Sequence, residues 1–420
     1  MKILVVGGGG REHAIIRKLK ENQKVDKIYC APGNGGIASD AECVPIKATD
    51  LDGMLSFAQE QTIDFVVVAP DDPLALGMVD RFEQAGIRAF GPSKLAAEIE
   101  GSKVFSKNLM KKYHIPTAGY EVFSAPDQAI AYIRTQNRYP AVIKADGLAL
   151  GKGVVIAQNE KEAVDAVRSM MEDKIFGESG SRIVVEEFLT GPEVSVLAFT
   201  DGKAICPMIS SMDHKRAYDG DMGPNTGGMG TIAPNPYYTP EIAQVCMDTI
   251  FRPTVDAMVA EGRKFKGCLY FGLMLTADGP KVIEYNCRFG DPETQVVLPL
   301  LQTDLLTIFE AIADEHLSDL TIEWSDNAAA CIVMASDGYP KQYPTGIPIE
   351  GLDANGQYPG VTVYHAGSRI EDGHFMTAGG RVLGVTATGG TLDAALQKAY
   401  AAVKKIRFVG AHYRTDIGRK

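Results

Sequence analysis

Two lysines, one acidic–amide pair and a set of glycine-rich turns are the residues here whose types and spacing can do chemistry. Lys103 sits in Gly101-Ser102-Lys103-Val104-Phe105-Ser106-Lys107, near a helix start. Lys144 ends the apolar run Tyr139-Pro140-Ala141-Val142-Ile143-Lys144. An ammonium at the end of an apolar strand is costly to bury unpaired, and a nucleotide phosphate would offset that cost. A lysine snorkelling to the surface is the other reading. Directly after it come Gly147, Gly151 and Gly153, between two strands. Such spacing suits a lid whose backbone closes over phosphates, and it equally suits a plain hairpin.

Glu284-Tyr285-Asn286-Cys287-Arg288 reads as a strand end. Alternation places Glu284 and Asn286 on one face, with Arg288 continuing the series. A carboxylate and an amide oxygen suit a hard divalent cation that also binds phosphate; a polar sheet face is the alternative. Arg288-Phe289-Gly290-Asp291-Pro292-Glu293-Thr294-Gln295 adds an arginine and two carboxylates beside it. The run from Asp213 to Gly230 holds Asp213, His214, Lys215, Asn225, Thr226, Gly227 and Gly228. It is too polar and glycine-rich to be core, and is expected to be a long functional loop. At the start, Gly7-Gly8-Gly9-Gly10-Arg11-Glu12-His13 follows a strand and opens a helix, which is an anion-binding arrangement. The dinucleotide fingerprint needs a further glycine where Glu12 or His13 stands, so NAD is weakly supported; a ligand-free tight turn remains a reading.

The elements that must position these groups read as α/β and α+β, in several domains. Residues 1–100 alternate short apolar runs with helical patterns, implying an open parallel sheet whose ligands bind at the strand carboxyl ends. Those ends carry Gly7–Gly10, Ala31–Asn34 and Pro70-Asp71. Residues 101–325 form a second unit with a small α+β piece at about 117–190. Residues 326–420 form a small α+β domain with strands at Ala328–Ala335 and Arg381–Thr388 and a helix over Leu392–Lys404. About three domains fit a chain of 420 residues that is 45% hydrophobic. The net charge of -11 argues against DNA or RNA as a partner. The seven cysteines are scattered, without a Cys-x-x-Cys pair, which points to a reduced cytoplasmic chain without zinc. No apolar stretch approaches the roughly 18 residues of a membrane span, and no basic leader precedes the first strand.

In the order Lys103, Lys144, glycine loop, Glu186-Glu187, Glu193, Glu284-x-Asn286, the chain resembles the ATP-grasp superfamily. The 213–230 and 288–295 runs, Gly9-Gly10-Arg11-Glu12-His13-Ala14 and His412-Tyr413-Arg414-Thr415-Asp416-Ile417-Gly418 are similar to the glycinamide ribonucleotide synthetase family within it. The resemblance spans essentially the whole chain. It implies ATP-grasp central domains with a mobile lid, and ATP-dependent ligation of glycine to 5-phosphoribosylamine through a glycyl phosphate, in purine synthesis. It further implies ATP contacts from Lys103, Lys144, Gly151, Glu186, Glu187 and Glu193, and Mg²⁺ or Mn²⁺ on Glu284 and Asn286. Gly9, Gly10, Arg11, Asp213, Lys215, Asn225, Thr226, Gly227, Gly228, Arg288 and Pro292 are implied to bind the other substrates, with Lys144, Arg288 and Asp213 catalytic. The expected partners are small molecules, with no nucleic acid or membrane, and the expected state is a monomer. One departure stands: the preceding strand, Tyr270 to Leu275, offers no second acidic metal ligand. A carboxylase-type ATP-grasp enzyme and a non-enzymatic nucleotide sensor are the rival readings.

Overall fold

The computed structural model describes residues 1–148 and 153–419. The Gly151 expectation therefore lies outside the described residues. The first hundred residues fold into a five-stranded, all-parallel sheet. Its order is Glu42–Cys43, Lys27–Pro32, Lys2–Gly7, Phe65–Val68, Arg88–Phe90. Ile3, Leu4, Val5 and Val6 are fully buried because helices cover both faces of this sheet, as a parallel sheet requires. The strand order reverses beside the strand Lys2–Gly7. The loops after it and after Phe65–Val68 therefore flank the crevice where such sheets take ligands.

Two antiparallel sheets build the middle of the chain. The smaller has the order Tyr120–Phe123, Ile183–Glu187, Ala141–Ala145, Val154–Ala157. The helices Pro126–Gln136 and Glu160–Met171 cover it and close an apolar cluster of their own, including Ile133, Ile143, Val167 and Ile183. The larger has the order Ile205–Pro207, Glu193–Thr200, Gly267–Thr276, Gly279–Asn286. The two meet at Thr117, whose hydroxyl donates to the Val282 carbonyl at 2.7 Å, while the Val282 amide donates to the Pro116 carbonyl at 2.8 Å.

The helix Lys103–Lys112 links these layers, and its start is fixed by side chains. The Ser102 hydroxyl caps it, accepting from the Phe105 amide at 3.0 Å, and donates to Asp146 Oδ1 at 3.0 Å. Asp146 also accepts from the Val104 amide at 3.2 Å and from Arg182 at 2.6 Å. One carboxylate thus ties the helix N-terminus to the smaller sheet, and Lys103 and Lys107 lie one turn apart on the side that faces it.

The segment 213–230 is not the irregular loop expected of it. It folds as short strands, Met212–Asp213, Arg216–Tyr218, Met222–Asn225 and Gly230–Ala233. Gly230–Ala233 pairs with Ala328–Ala335, so a mixed-origin sheet joins Met212–Asp213 and Gly230–Ala233 to the strands Ala328–Ala335, Arg381–Gly389 and Thr362–His365. The polar composition had suggested a loop because these strands are too short to show an alternating pattern. Among the described residues, no helix is long and apolar enough to cross a membrane.

Candidate active site

The cleft between the two central sheets gathers charge from four elements. From the helix come Lys103 and Lys107; from Ala141–Ala145 comes Lys144; from Ile183–Glu187 comes Glu186; from Gly279–Asn286 come Glu284 and Asn286. Lys144 is buried, with its ammonium 3.0 Å from Glu186 Oε2 and 3.1 Å from the Ile283 carbonyl, to which it donates. It does not snorkel to the surface. Lys103 donates to the Gly147 carbonyl at 2.9 Å. Burial lowers its pKa, against the pull of Glu284, so its ammonium is under-compensated.

Burial pushes the Glu284 carboxyl up, but Lys215, Lys144 and Lys103 together hold it below its ordinary value, and it stays ionised. Lys215 lies 3.2 Å from Glu193 and 3.7 Å from Glu284. It is raised well above the usual lysine range, first by Glu193. Lysines 103, 107, 144 and 215 thus converge on one cleft among Glu186, Glu187, Glu193 and Glu284, in a chain of net charge -11. Four ammoniums gathered in one cleft suit a polyphosphate. Glu187, at the open end of its strand, accepts from the Gly119 amide at 2.9 Å.

Glu284 and Asn286 stand on one face of their strand, two oxygen donors with no cysteine or histidine between them. The donor chemistry fits a hard divalent cation. Among the described residues no group of three or more His, Cys, Asp or Glu side chains forms a complete cage. A cation held here would need oxygens from its nucleotide.

A second cluster adjoins the cleft. Gly228 adopts φ +113, and a Cβ there would come within 2.5 Å of both Asp213 Oδ1 and Pro292 Cδ. Only glycine lets the 226–228 turn close over those two residues. The Thr226 hydroxyl donates to the Lys215 carbonyl at 2.9 Å and accepts from the Gly228 amide at 3.0 Å. Asn225 ends the exposed strand of the adjoining hairpin, opposite Arg216. Arg381 donates to the carbonyls of Gly227 at 2.6 Å and Asp291 at 2.9 Å, and pairs with the Asp291 carboxylate at 3.3 Å. Below the turn, Asp213 Oδ1 is buried without a hydrogen-bond partner. Burial, then the nearby Glu293, raises the Asp213 carboxyl well above its usual range; burial also raises Glu293. Glu293 accepts from Ser195 Oγ at 3.3 Å, and Ser195 shares a hydrogen bond of 2.8 Å with the Tyr270 hydroxyl.

The first glycine turn is packed tightly. Gly9 N donates to Glu12 Oε2 at 2.6 Å and Arg11 N to Asp291 Oδ2 at 3.3 Å, so two carboxylates cap this helix N-terminus. Gly10 backs onto Gln295, and the Arg11 guanidinium pairs with Glu12 and donates to the Phe289 carbonyl. Arg288 leaves the metal-face series. It turns to Glu100 at 2.9 Å and Asp71 at 3.6 Å, linking this strand end to the loop after Phe65–Val68. His13 is buried between Asp40 and the His365 amide, and the His214 ring accepts from the Gly418 amide.

Sequence reasoning missed Lys107, Arg381, Tyr270 and Glu100 as parts of this architecture, while Asp71 stands at a strand end read as the ligand edge of the parallel sheet. Lys107 had a readable signal, its i,i+4 spacing from Lys103. Arg381 had none, being 90 residues from its partner Asp291.

Comparison with known proteins shows the family and the fold. Residues 1–100, 101–294 and 329–420 match the N, ATP-grasp (A) and C domains of phosphoribosylglycinamide synthetase. The chain is 49% identical over 417 residues to the phosphoribosylamine–glycine ligase of Caldanaerobacter subterraneus subsp. tengcongensis, covering 99% of each. It is 48% identical to that of Clostridium acetobutylicum over 419 residues, covering 100% of both. Among solved structures, the phosphoribosylamine–glycine ligase of Thermotoga maritima superposes with a TM-score of 0.88 at 33% identity, covering 100% of each chain. The biotin carboxylase domain of Hydrogenobacter thermophilus 2-oxoglutarate carboxylase gives 0.73 at 18% identity, covering 98% of this chain and 91% of that one; it shares the fold alone.

Proposed function

The chain belongs to the phosphoribosylglycinamide synthetase family, and we propose that it ligates glycine to 5-phosphoribosylamine by way of a glycyl phosphate made at the expense of ATP. It is an ATP-dependent ligase of purine biosynthesis. The observation that carries the mechanism is the convergence of Lys103, Lys144 and Lys215 on the Glu284 side of the cleft, with no nucleophile set among them.

The glycine carboxylate attacks the γ-phosphoryl group, and ADP leaves. The amine of phosphoribosylamine then attacks the acyl carbon, and inorganic phosphate departs carrying one former carboxylate oxygen. No side chain forms a covalent intermediate. Lys103 and Lys144 neutralise and align the phosphates, work that dominates phosphoryl transfer. Asp213 and Glu293 lie close enough to repel when both are ionised, so the pair favours a single shared proton and leaves one carboxylate suited to take the proton that the attacking amine sheds. Glu284 and Asn286 would hold Mg²⁺ or Mn²⁺, which would supply charge neutralisation to the phosphates. Closure of the small sheet excludes water, which would otherwise hydrolyse the acyl phosphate. The turn 226–228, Pro292 and Arg288 border the space left for the amine and glycine, and Gly9, Gly10 and Arg11 flank it from the parallel sheet.

Seven unpaired cysteines support a cytoplasmic setting. The test is ADP release that needs both glycine and phosphoribosylamine, combined with glycine labelled by ¹⁸O in its carboxylate. One labelled oxygen per turnover is expected in inorganic phosphate. Unlabelled phosphate, with amide product still forming, would refute the acyl phosphate. ADP release that needs bicarbonate in place of glycine would favour carboxylase chemistry.

A further inference from the structure

Glu186 is shared by two buried lysines from different elements. Lys107 and Lys144 reach the same oxygen, Oε2, at 3.2 and 3.0 Å. The other oxygen, Oε1, is buried and has no hydrogen-bond partner. Two cations on one oxygen beside an unused one is a poor way to balance a buried carboxylate. It leaves a cationic surplus that is costly in a site closed to water. The surplus has a use if one of the lysines is to leave.

We propose that Lys107 is a positioning residue that retains Glu186 when Lys144 turns from it to a nucleotide phosphate. The two lysines are held differently. Lys107 is anchored from behind, donating to Thr117 Oγ1 at 2.8 Å, and its ammonium lies 5.5 Å from the centroid of the Tyr120 ring. Thr117 is itself fixed to the Val282 carbonyl, where the two sheets meet. Apart from Glu186, Lys144 has, among the described residues, the Ile283 carbonyl as its one hydrogen-bond acceptor, one residue before Glu284 on the cleft strand. Lys144 is therefore the partner free to move toward phosphate, and Lys107 is the one that stays. Without Lys107, a Lys144 drawn to ATP would leave an unpaired buried carboxylate, and the nucleotide would bind more weakly by that penalty. Lys107 touches no reacting atom.

The same geometry makes nucleotide affinity depend on pH. Burial lowers Lys107 from the ordinary lysine value to about 8, against the attraction of Glu186 and with the repulsion of Lys144. The groups facing it are Glu186 and Glu187 on one strand, Lys144 on the next, Tyr120 on the outer strand and Thr117 at the junction. Once Lys107 is neutral, Glu186 holds Lys144 alone, and ATP must break that pair.

This rests on the reading of Lys144 as a phosphate ligand, so the experiment includes Lys144→Met. Dissociation constants for MgATP are measured by calorimetry on the full chain from about pH 7 to about pH 9.5, with KM for ATP and glycine alongside. The wild-type constant is expected to rise several-fold above about pH 8. Lys107→Met should weaken ATP binding roughly tenfold at neutral pH with a flatter profile, leaving KM for glycine unchanged. Lys107→Arg, whose charge does not titrate in this range, should restore neutral affinity and suppress the alkaline rise. It keeps the test decisive should Lys107→Met fold poorly. An undiminished alkaline rise in Lys107→Arg, or unaltered ATP affinity in Lys107→Met while Lys144→Met weakens it, overturns the inference alone. Unaltered affinity in Lys144→Met overturns the phosphate-ligand reading together with it.

Discussion

Replacing Glu186 by glutamine removes the only carboxylate that two buried ammoniums share, and its cost can be worked from the geometry. At about 3 Å and an effective dielectric near 20, each lysine–carboxylate pair attracts by roughly 5 kcal/mol, and desolvation of the ions takes back most of it. Removing one partner forfeits the attraction and leaves the desolvation, so a destabilisation of about 3–5 kcal/mol is expected at pH 7. The pH dependence follows from Lys107, lowered from 10.5 to about 8. Between those values the unfolded chain holds a proton that the folded chain has lost. Stability therefore rises with pH across that window, and the full penalty, about 3 kcal/mol, is present below about pH 8. In Glu186→Gln the folded value drops further, and Lys107 becomes neutral at lower pH. The gap between wild type and variant is then expected to be widest near neutrality or below and to shrink by about pH 10. Urea unfolding at several pH values, followed by circular dichroism, measures it. A gap under about 1 kcal/mol at pH 7, or one that widens with alkali, would refute a Glu186 that balances two charged lysines.

Glu284→Gln is expected to lower turnover at least a hundredfold while leaving the melting temperature within a few degrees, because Glu284 faces the cleft lysines and holds no core together; a lowered melting temperature with near-normal turnover would make it structural. Gly8→Ala places a Cβ 2.5 Å from the Gly33 carbonyl oxygen, so backbone must shift. A loss of about 1–3 kcal/mol is expected, with a raised KM for phosphoribosylamine and an unchanged KM for ATP; equal stability and kinetics would show that the turn has slack.

The sequence by itself determined the chemistry and the class of each element. Ile3 to Val6 could only be a strand buried on both faces, and the glycines after it could only be a turn into a helix. Lys103, Lys144, Glu284 and Asn286 were legible because each sits at an element end or on a strand face, where local spacing dictates direction. Tertiary structure decided which charges meet. That Lys144 shares Glu186 with Lys107, that Asp291 accepts from the Arg11 amide, and that Arg381 grips the turn at Gly227 all depend on contacts between distant segments. In the 213–230 run, Arg216–Tyr218 and Met222–Asn225 pair with each other, but Gly230–Ala233 finds its partner in the distant Ala328–Ala335. Local pattern reports how a segment satisfies its own backbone and which face it buries. Buried charges find partners only when layers pack, because the desolvation that makes the pairing necessary arises in that step.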